Sequence, residues 1–196
     1  PVCAVNYYLH NTLLDAPLFP RDEKGYFEKV ATLDGIEVYE NKAAFPRAFL
    51  VPRARVVPSE DDMFAIMASN DFDPAQDVLL EEPPPGPLSQ EISTAPLGTA
   101  TVIDRSFTRE TVKVQAWRPC MLVLSETYFP GWTATVNGQA TKILPAYHAF
   151  RAVYLPAGEH TVAFSYKPVS FSIGIIVSII TIVAYLTNLF FKPRAA

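Results

Sequence analysis

The sequence predicts a mainly β protein: an antiparallel β-sandwich, preceded by a small α+β segment and followed by one C-terminal transmembrane α-helix. Three observations carry this expectation. Phe171 to Phe191 is an uninterrupted apolar stretch without Asp, Glu, Lys, Arg or His, closed by Lys192 and Arg194. At ~1.5 Å per residue it is long enough to cross a bilayer core of ~30 Å. The chain carries 18 Pro, only 8 Gly and 12% aromatic residues, which suits short strands joined by many turns. From Thr99 onward, short alternating or apolar runs are separated by turn signals.

The span comes first because everything before residue 170 is read as attached to a membrane. Its few polar side chains (Ser172, Ser178, Thr181, Thr187 and Asn188) can bond back to their own helix or, at the end, reach the headgroups. Residues 192–196 form a short basic tail.

Residues 1–80 read as the small α+β segment. Val2 to Leu9 is a strand, Asn11 to Lys24 a loop with Pro17 and Pro20, and Tyr26 to Leu33 is ambiguous between helix and strand. Asp34-Gly35 is a turn into a strand that ends near Asn41. Ala48 to Val57 is extended with Pro52 inside it, which suits an edge or interrupted strand. Ser59 to Ser69 is a helix. Ser59 caps it, Glu60, Asp61 and Asp62 complement its N-terminal dipole, and Met63, Phe64, Ile66 and Met67 form its apolar stripe. Asp77 to Leu80 returns as a strand.

Residues 81–98, with the run EEPPPGP, read as a solvated Pro-rich linker. Residues 99–168 are the sandwich. Val112, Val114 and Ala116 share one face of a strand, and Met121 to Leu124 is apolar enough for burial on both faces. Asn137-Gly138 marks a type I′ hairpin. Phe150 to Leu155 and His160 to Tyr166 are expected as a second hairpin about Pro156 to Glu159. The last strand runs through Lys167-Pro168 almost directly into the span. Whether the first 80 residues form a separate unit or add strands to the same sheet is open at this point.

Composition and motifs exclude several functions. With 16 Lys and Arg against 20 Asp and Glu, and no basic cluster, nucleic acid is not an expected partner. No nucleophile elbow, phosphate loop, zinc-protease motif or dinucleotide fingerprint occurs, so no catalytic residue and no cofactor are expected within these residues. His10, His148 and His160 are too scattered for a metal site. Cys3 and Cys120 are read as two small buried thiols, and a disulfide between them stays open. Glu126, beside Tyr128, is considered as a general acid in a pocket, but that role is not the expected one. Arg151 interrupts an apolar strand, where it either pairs with an acidic neighbour or reaches the headgroups. The aromatic group Tyr128, Phe129, Trp132, Tyr147, Phe150 and Tyr154 is expected mainly in the core. Tyr128 and Trp132, flanking Pro130-Gly131, are the candidates for contact with a glycan or headgroup.

These residues also carry a resemblance. Leu122 to Ser178, with SETYFPGW, the Asn137-Gly138 hairpin, AFR and PAGEH ahead of the span, resembles the C-terminal end of the YfhO-type bacterial membrane proteins. Asn-Gly stands where Asp-Gly is common in that family. VYENKAAFPRAFLV (Val38 to Val51) and SNDFDPAQDVLLE (Ser69 to Glu81) resemble the segment ahead of its sandwich, and Cys3 to Leu9 resembles its short strand after the membrane bundle. The family is polytopic and resembles the GT-C glycosyltransferases, which use polyprenyl-phosphate sugars at the outer face.

The resemblance implies a C-terminal extracytoplasmic accessory domain and final span of a larger protein in the bacterial plasma (inner) membrane, with its catalytic acid in an early loop outside these residues. It implies a β domain outside and a cytoplasmic C-terminus. The partners it implies are the lipid bilayer, an upstream transmembrane bundle of the same chain, and a polyprenyl-linked sugar or envelope glycan. The alternative is a non-enzymatic single-pass envelope protein whose β domain binds a glycan or protein.

Overall fold

The computed structural model describes residues 7–11, 27–69, 71–89 and 95–190. Among these, strands dominate and form three sheets. A small antiparallel sheet, ordered β1-β3-β2, contains β1 (Tyr7–Asn11), β2 (Phe27–Leu33) and β3 (Ile36–Asn41). Asp34 and Gly35 both have positive φ, 48° and 80°, as a type I′ turn requires. That turn resolves the ambiguous Tyr26–Leu33 stretch: its last seven residues pair along β3. Residues 2–6 of the expected first strand, with Cys3, the loop expected after Asn11, and residues 191–196 lie outside the described residues.

The two larger sheets pack face to face. A five-stranded antiparallel sheet runs β11-β10-β14-β8-β7. Its strands are β7 (Gly98–Arg105), β8 (Arg109–Ala116), β10 (Trp132–Val136), β11 (Gln139–Thr141) and β14 (Gly158–Tyr166). A six-stranded sheet runs β4-β9-β13-β12-β6-β5. It contains β4 (Ala48–Val51), β5 (Arg53–Val56), β6 (Asp77–Leu80), β9 (Cys120–Thr127), β12 (Leu144–Ala146) and β13 (Phe150–Leu155).

Alternation sorts the side chains. Val112, Val114, Ala116, Ala134, Val162 and Phe164 from one sheet meet Ala48, Leu122, Leu124, Val153 and Leu155 from the other in the sandwich core. Met121, Val123 and Ala152 point to the opposite face of the six-stranded sheet, under Met63 of helix α1 (Glu60–Ala68). The run Met121 to Leu124 is therefore buried on both sides, as its composition requires. Ser59 Oγ accepts a 3.3 Å bond from the Asp62 amide at the start of α1. Met63 is buried and Ile66 and Met67 pack against the same cluster, whereas Phe64 is exposed. Pro52 separates β4 from β5, which become the two edges of the six-stranded sheet.

Two expectations are corrected. Phe150–Leu155 and His160–Tyr166 do not form a hairpin. β13 pairs with β9 and β12, while β14 pairs with β8 and β10, so Pro156-Ala157 carries the chain across the sandwich from one sheet to the other. Val153 and Leu155 then face Val162 and Phe164 through the core, where more apolar area is buried than a hairpin would give. The Pro-rich stretch is not a free spacer either. Leu88 packs on the α1 side of the sheet, Gly86 lies so close to the Tyr154 ring that a Cβ there would collide with it, and Lys142 pairs with Glu82 at 2.6 Å. Strands from both sides of residues 81–98 share the six-stranded sheet, so this stretch does not divide the sheets.

Helix α2 (Val169–Phe190) follows β14 after Lys167 and Pro168. Its 20 residues Val169–Asn188 are long and apolar enough to cross a membrane, and none of this stretch is buried against the protein. Ser178, Thr181 and Thr187 donate to the carbonyls of Gly174, Val177 and Val183 at 2.9, 2.9 and 2.7 Å. Their polarity is thereby satisfied inside the helix, as a hydrocarbon surrounding demands.

Candidate functional site

A cavity of about 590 Å³ opens at the end of the sandwich next to α2, lined by Arg105, Ser106, Phe107, Glu110, Glu126, Trp132 and Arg151. Its position follows from register. Trp132 pairs with Tyr166 and Arg109 with Ser165, at the last turns of chain before the helix. The Tyr166 amide bonds the Thr108 carbonyl at 2.9 Å and the Lys167 amide bonds the Gly131 carbonyl at 2.8 Å. The loops 106–108 and 129–131 thus flank the start of α2, and each exposes a phenylalanine, Phe107 and Phe129.

Two buried charges form the floor. Arg151 lies on β13 in the same inward set as Val153 and Leu155, and Glu110 on β8 in the same set as Val112 and Val114. They approach across the sandwich, Arg151 Nη2 to Glu110 Oε2 at 4.0 Å, with side chains 2% and 3% exposed. A register shift between Phe150 and Arg151 marks a bulge where β13 meets β9, the usual device for re-aiming a side chain. The guanidinium lies 3.8 Å from the centre of the Trp132 ring and 5.4 Å from that of Phe164. Trp132 in turn packs on Tyr166 with ring centres 5.3 Å apart. Burial lowers Arg151 from the usual 12.5 to about 10, against the opposing pull of Glu110. It is therefore still cationic at neutral pH.

The pair is incompletely satisfied. Arg151 Nε and Nη1 and Glu110 Oε1 are buried without a hydrogen-bond partner among the described residues. A buried polar atom left unpaired costs about 1–3 kcal/mol, more when charged, so these atoms favour a partner within the cavity. The rim is better satisfied: Glu126 is held by Arg47 and, at 3.4 Å, by Arg105.

Of the residues singled out in the sequence, Trp132 lines this cavity and Tyr128 does not; Tyr128 is half-buried against the sandwich core. Glu126 is engaged in ion pairs at the rim rather than standing free as an acid. Asp61 and Asp62 lie in the first turn of α1. Arg151 takes the first of its two expected alternatives and faces an acidic neighbour. Glu110 was missed, although the signal was present: it continues the inward period of Val112, Val114 and Ala116 as a charge. Tyr147 is buried, and its hydroxyl lies 3.0 Å from both the Pro74 and Asp77 carbonyls. His160 is also buried, its Nε2 2.9 Å from the Pro156 carbonyl and its Nδ1 3.3 Å from the Asn137 side-chain amide, so it braces the far hairpin. Among the described residues, no three His, Cys, Asp or Glu side chains cluster as a metal site.

Comparison with known families decides the relationship. Residues 89–178 match the family described as bacterial membrane protein YfhO. This stretch is a YfhO-family domain. The match covers β7 to β14 and ends inside α2, so the cavity walls from Arg105 to Arg151 and the first half of the apolar helix belong to one YfhO unit. No curated protein and no solved structure matches the chain. The match of residues 89–178 to a membrane-protein family and the uncovered apolar helix α2 both point to association with a membrane.

Proposed function

We propose that this chain supplies the juxtamembrane accessory domain and final span of a polytopic YfhO-family protein, one that transfers sugar from a polyprenyl-phosphate donor to a cell-envelope glycan. In this reading the β domain lies outside the bacterial inner membrane, the C-terminus lies in the cytoplasm, and the catalytic residues belong to another part of the protein. The observation that carries it is the arrangement at the membrane end: the sandwich joins α2 through only Lys167 and Pro168, and its cavity opens beside that junction. A domain tethered so closely cannot swing far from the bilayer, and the exposed apolar rings of Phe107 and Phe129 suit contact with lipid rather than water. The domain would cover or shape the acceptor side of a membrane-embedded site. In this reading Trp132, on the cavity wall, would contact a glycan or headgroup, while Tyr128 packs against the sandwich core.

The test is sugar transfer by the whole protein in isolated membranes, with labelled polyprenyl-phosphate sugar. The intact protein is expected to transfer label, and deletion of residues 48–166 with α2 retained is expected to reduce transfer by about ten-fold or more. No transfer by the intact protein would favour the alternative of a non-enzymatic envelope protein that binds a glycan or protein partner.

A further inference from the structure

We infer that the cavity between Arg151 and Glu110 is a binding site for a polyol phosphate: a phosphate ester that also carries free hydroxyls. Three features point to this chemistry. The first is unmet hydrogen bonding of both kinds. Arg151 Nε and Nη1 are donors without acceptors, and Glu110 Oε1 is an acceptor without a donor, all on side chains 2–3% exposed and lining one cavity. A ligand that satisfies them must present acceptor oxygens to the guanidinium and a hydroxyl to the carboxylate. A fully deprotonated anion such as sulfate does only the first, and an apolar ligand does neither.

The second feature is charge. Arg105 and Arg151 line the cavity with Glu110 and Glu126, and Arg47 also binds Glu126. The lining charges balance, but Arg47 neutralises Glu126 from outside the lining, which leaves one positive charge to meet a phosphate diester or the monoanion of a monoester. Phosphate oxygens can also meet two separate guanidiniums at once. The third feature is space: about 590 Å³ lies within the range of small-molecule sites. Trp132 is not a free stacking platform, because Arg151 lies over its ring, so recognition runs through the polar floor with Trp132 as a wall.

The inference rests on the reading above only for the cavity facing the bilayer. The same chemistry could arrive as a lipid headgroup or a free solute, and the test separates them. Of the two tryptophans, Trp117 is exposed and away from the cavity, so a Trp117→Phe chain reports from Trp132 alone. The full chain in phosphatidylcholine nanodiscs would be titrated with glycerol 3-phosphate and sulfate, and compared with nanodiscs containing phosphatidylglycerol. Saturable change in Trp132 emission with glycerol 3-phosphate, or on inclusion of phosphatidylglycerol, is expected. A response in the first arm shows that the solute suffices, and one in the second alone assigns the site to a lipid. Sulfate is expected to bind about ten-fold more weakly, as are glycerol 3-phosphate and phosphatidylglycerol to Glu110→Gln and Arg151→Lys variants whose melting shows them folded. No saturable response in either arm would overturn the inference. So would a folded Glu110→Gln variant binding as tightly as the parent. The titration reads binding alone, so its failure is distinguishable from a failure of sugar transfer.

Discussion

The Gly131 carbonyl accepts a 2.8 Å hydrogen bond from the Lys167 amide, which clamps the Pro130-Gly131-Trp132 turn to the last residues before α2. Gly131 has φ of 108°, and a Cβ there would lie 3.0 Å from Tyr166 Cε2 and 3.1 Å from Pro168 Cα. The turn thus needs both the conformational freedom and the small size of glycine. Gly131→Ala is expected to destabilise the domain by about 1–3 kcal/mol, read by thermal melting in detergent. An unchanged melting temperature would show that the clamp contributes little.

Arg151 and Glu110 are expected to behave as a buried pair in chemical denaturation. Removing one partner, as in Glu110→Leu, leaves an uncompensated charge and is expected to cost about 3–5 kcal/mol. The double change Arg151→Met with Glu110→Leu is expected to recover most of that loss, since an apolar pair can fill the same core position. Additive losses would show that the two side chains do not interact.

Cys120 is fully buried, and burial pushes its thiol from 9.0 up to about 11. A group whose pKa is raised by folding contributes stability that is complete below the unfolded value and is lost as pH rises through the folded value. Between pH 9 and 11 the parent should therefore lose about 3 kcal/mol relative to Cys120→Ala. Parallel stability curves for the two proteins over that window would contradict the burial of the thiol.

Phe107 is expected to touch the bilayer, because loop 106–108 lies beside the start of α2. In vesicles, a nitroxide attached at Phe107→Cys should be more accessible to oxygen than to a water-soluble nickel complex. One attached at Gln139→Cys, on the exposed hairpin at the other end of β10, should show the reverse. Both cysteines would be introduced in a background with Cys3→Ala and Cys120→Ala. Equal nickel accessibility at the two positions would place the cavity end away from the lipid.

The sequence carries the local elements of this fold well. Asn137 and Gly138 adopt φ of 50° and 82°, as their turn type demands, and Ser59 caps α1 as its position suggests. Pairing beyond neighbouring strands was not legible. Pro156-Ala157-Gly158 reads as a hairpin turn by composition, yet the same residues serve a crossing between sheets, and only the facing cores distinguish the two. The same limit hid the floor of the cavity. Arg151 was visible as a charge in an apolar strand, and Glu110 was recoverable from its period. Their approach across the sandwich required the topology, because 41 residues of chain and a change of sheet separate them.

The central claim is a β domain held at the outer face of the membrane by α2, and sidedness tests it most directly. In the background with Cys3→Ala and Cys120→Ala, single cysteines would be introduced as Gln139→Cys in the β domain and Ala196→Cys at the C-terminus. Intact cells would then be treated with a membrane-impermeant maleimide. The account predicts labelling at 139 in intact cells and at 196 only after permeabilisation. Labelling at 196 in intact cells, with 139 protected until permeabilisation, would contradict it.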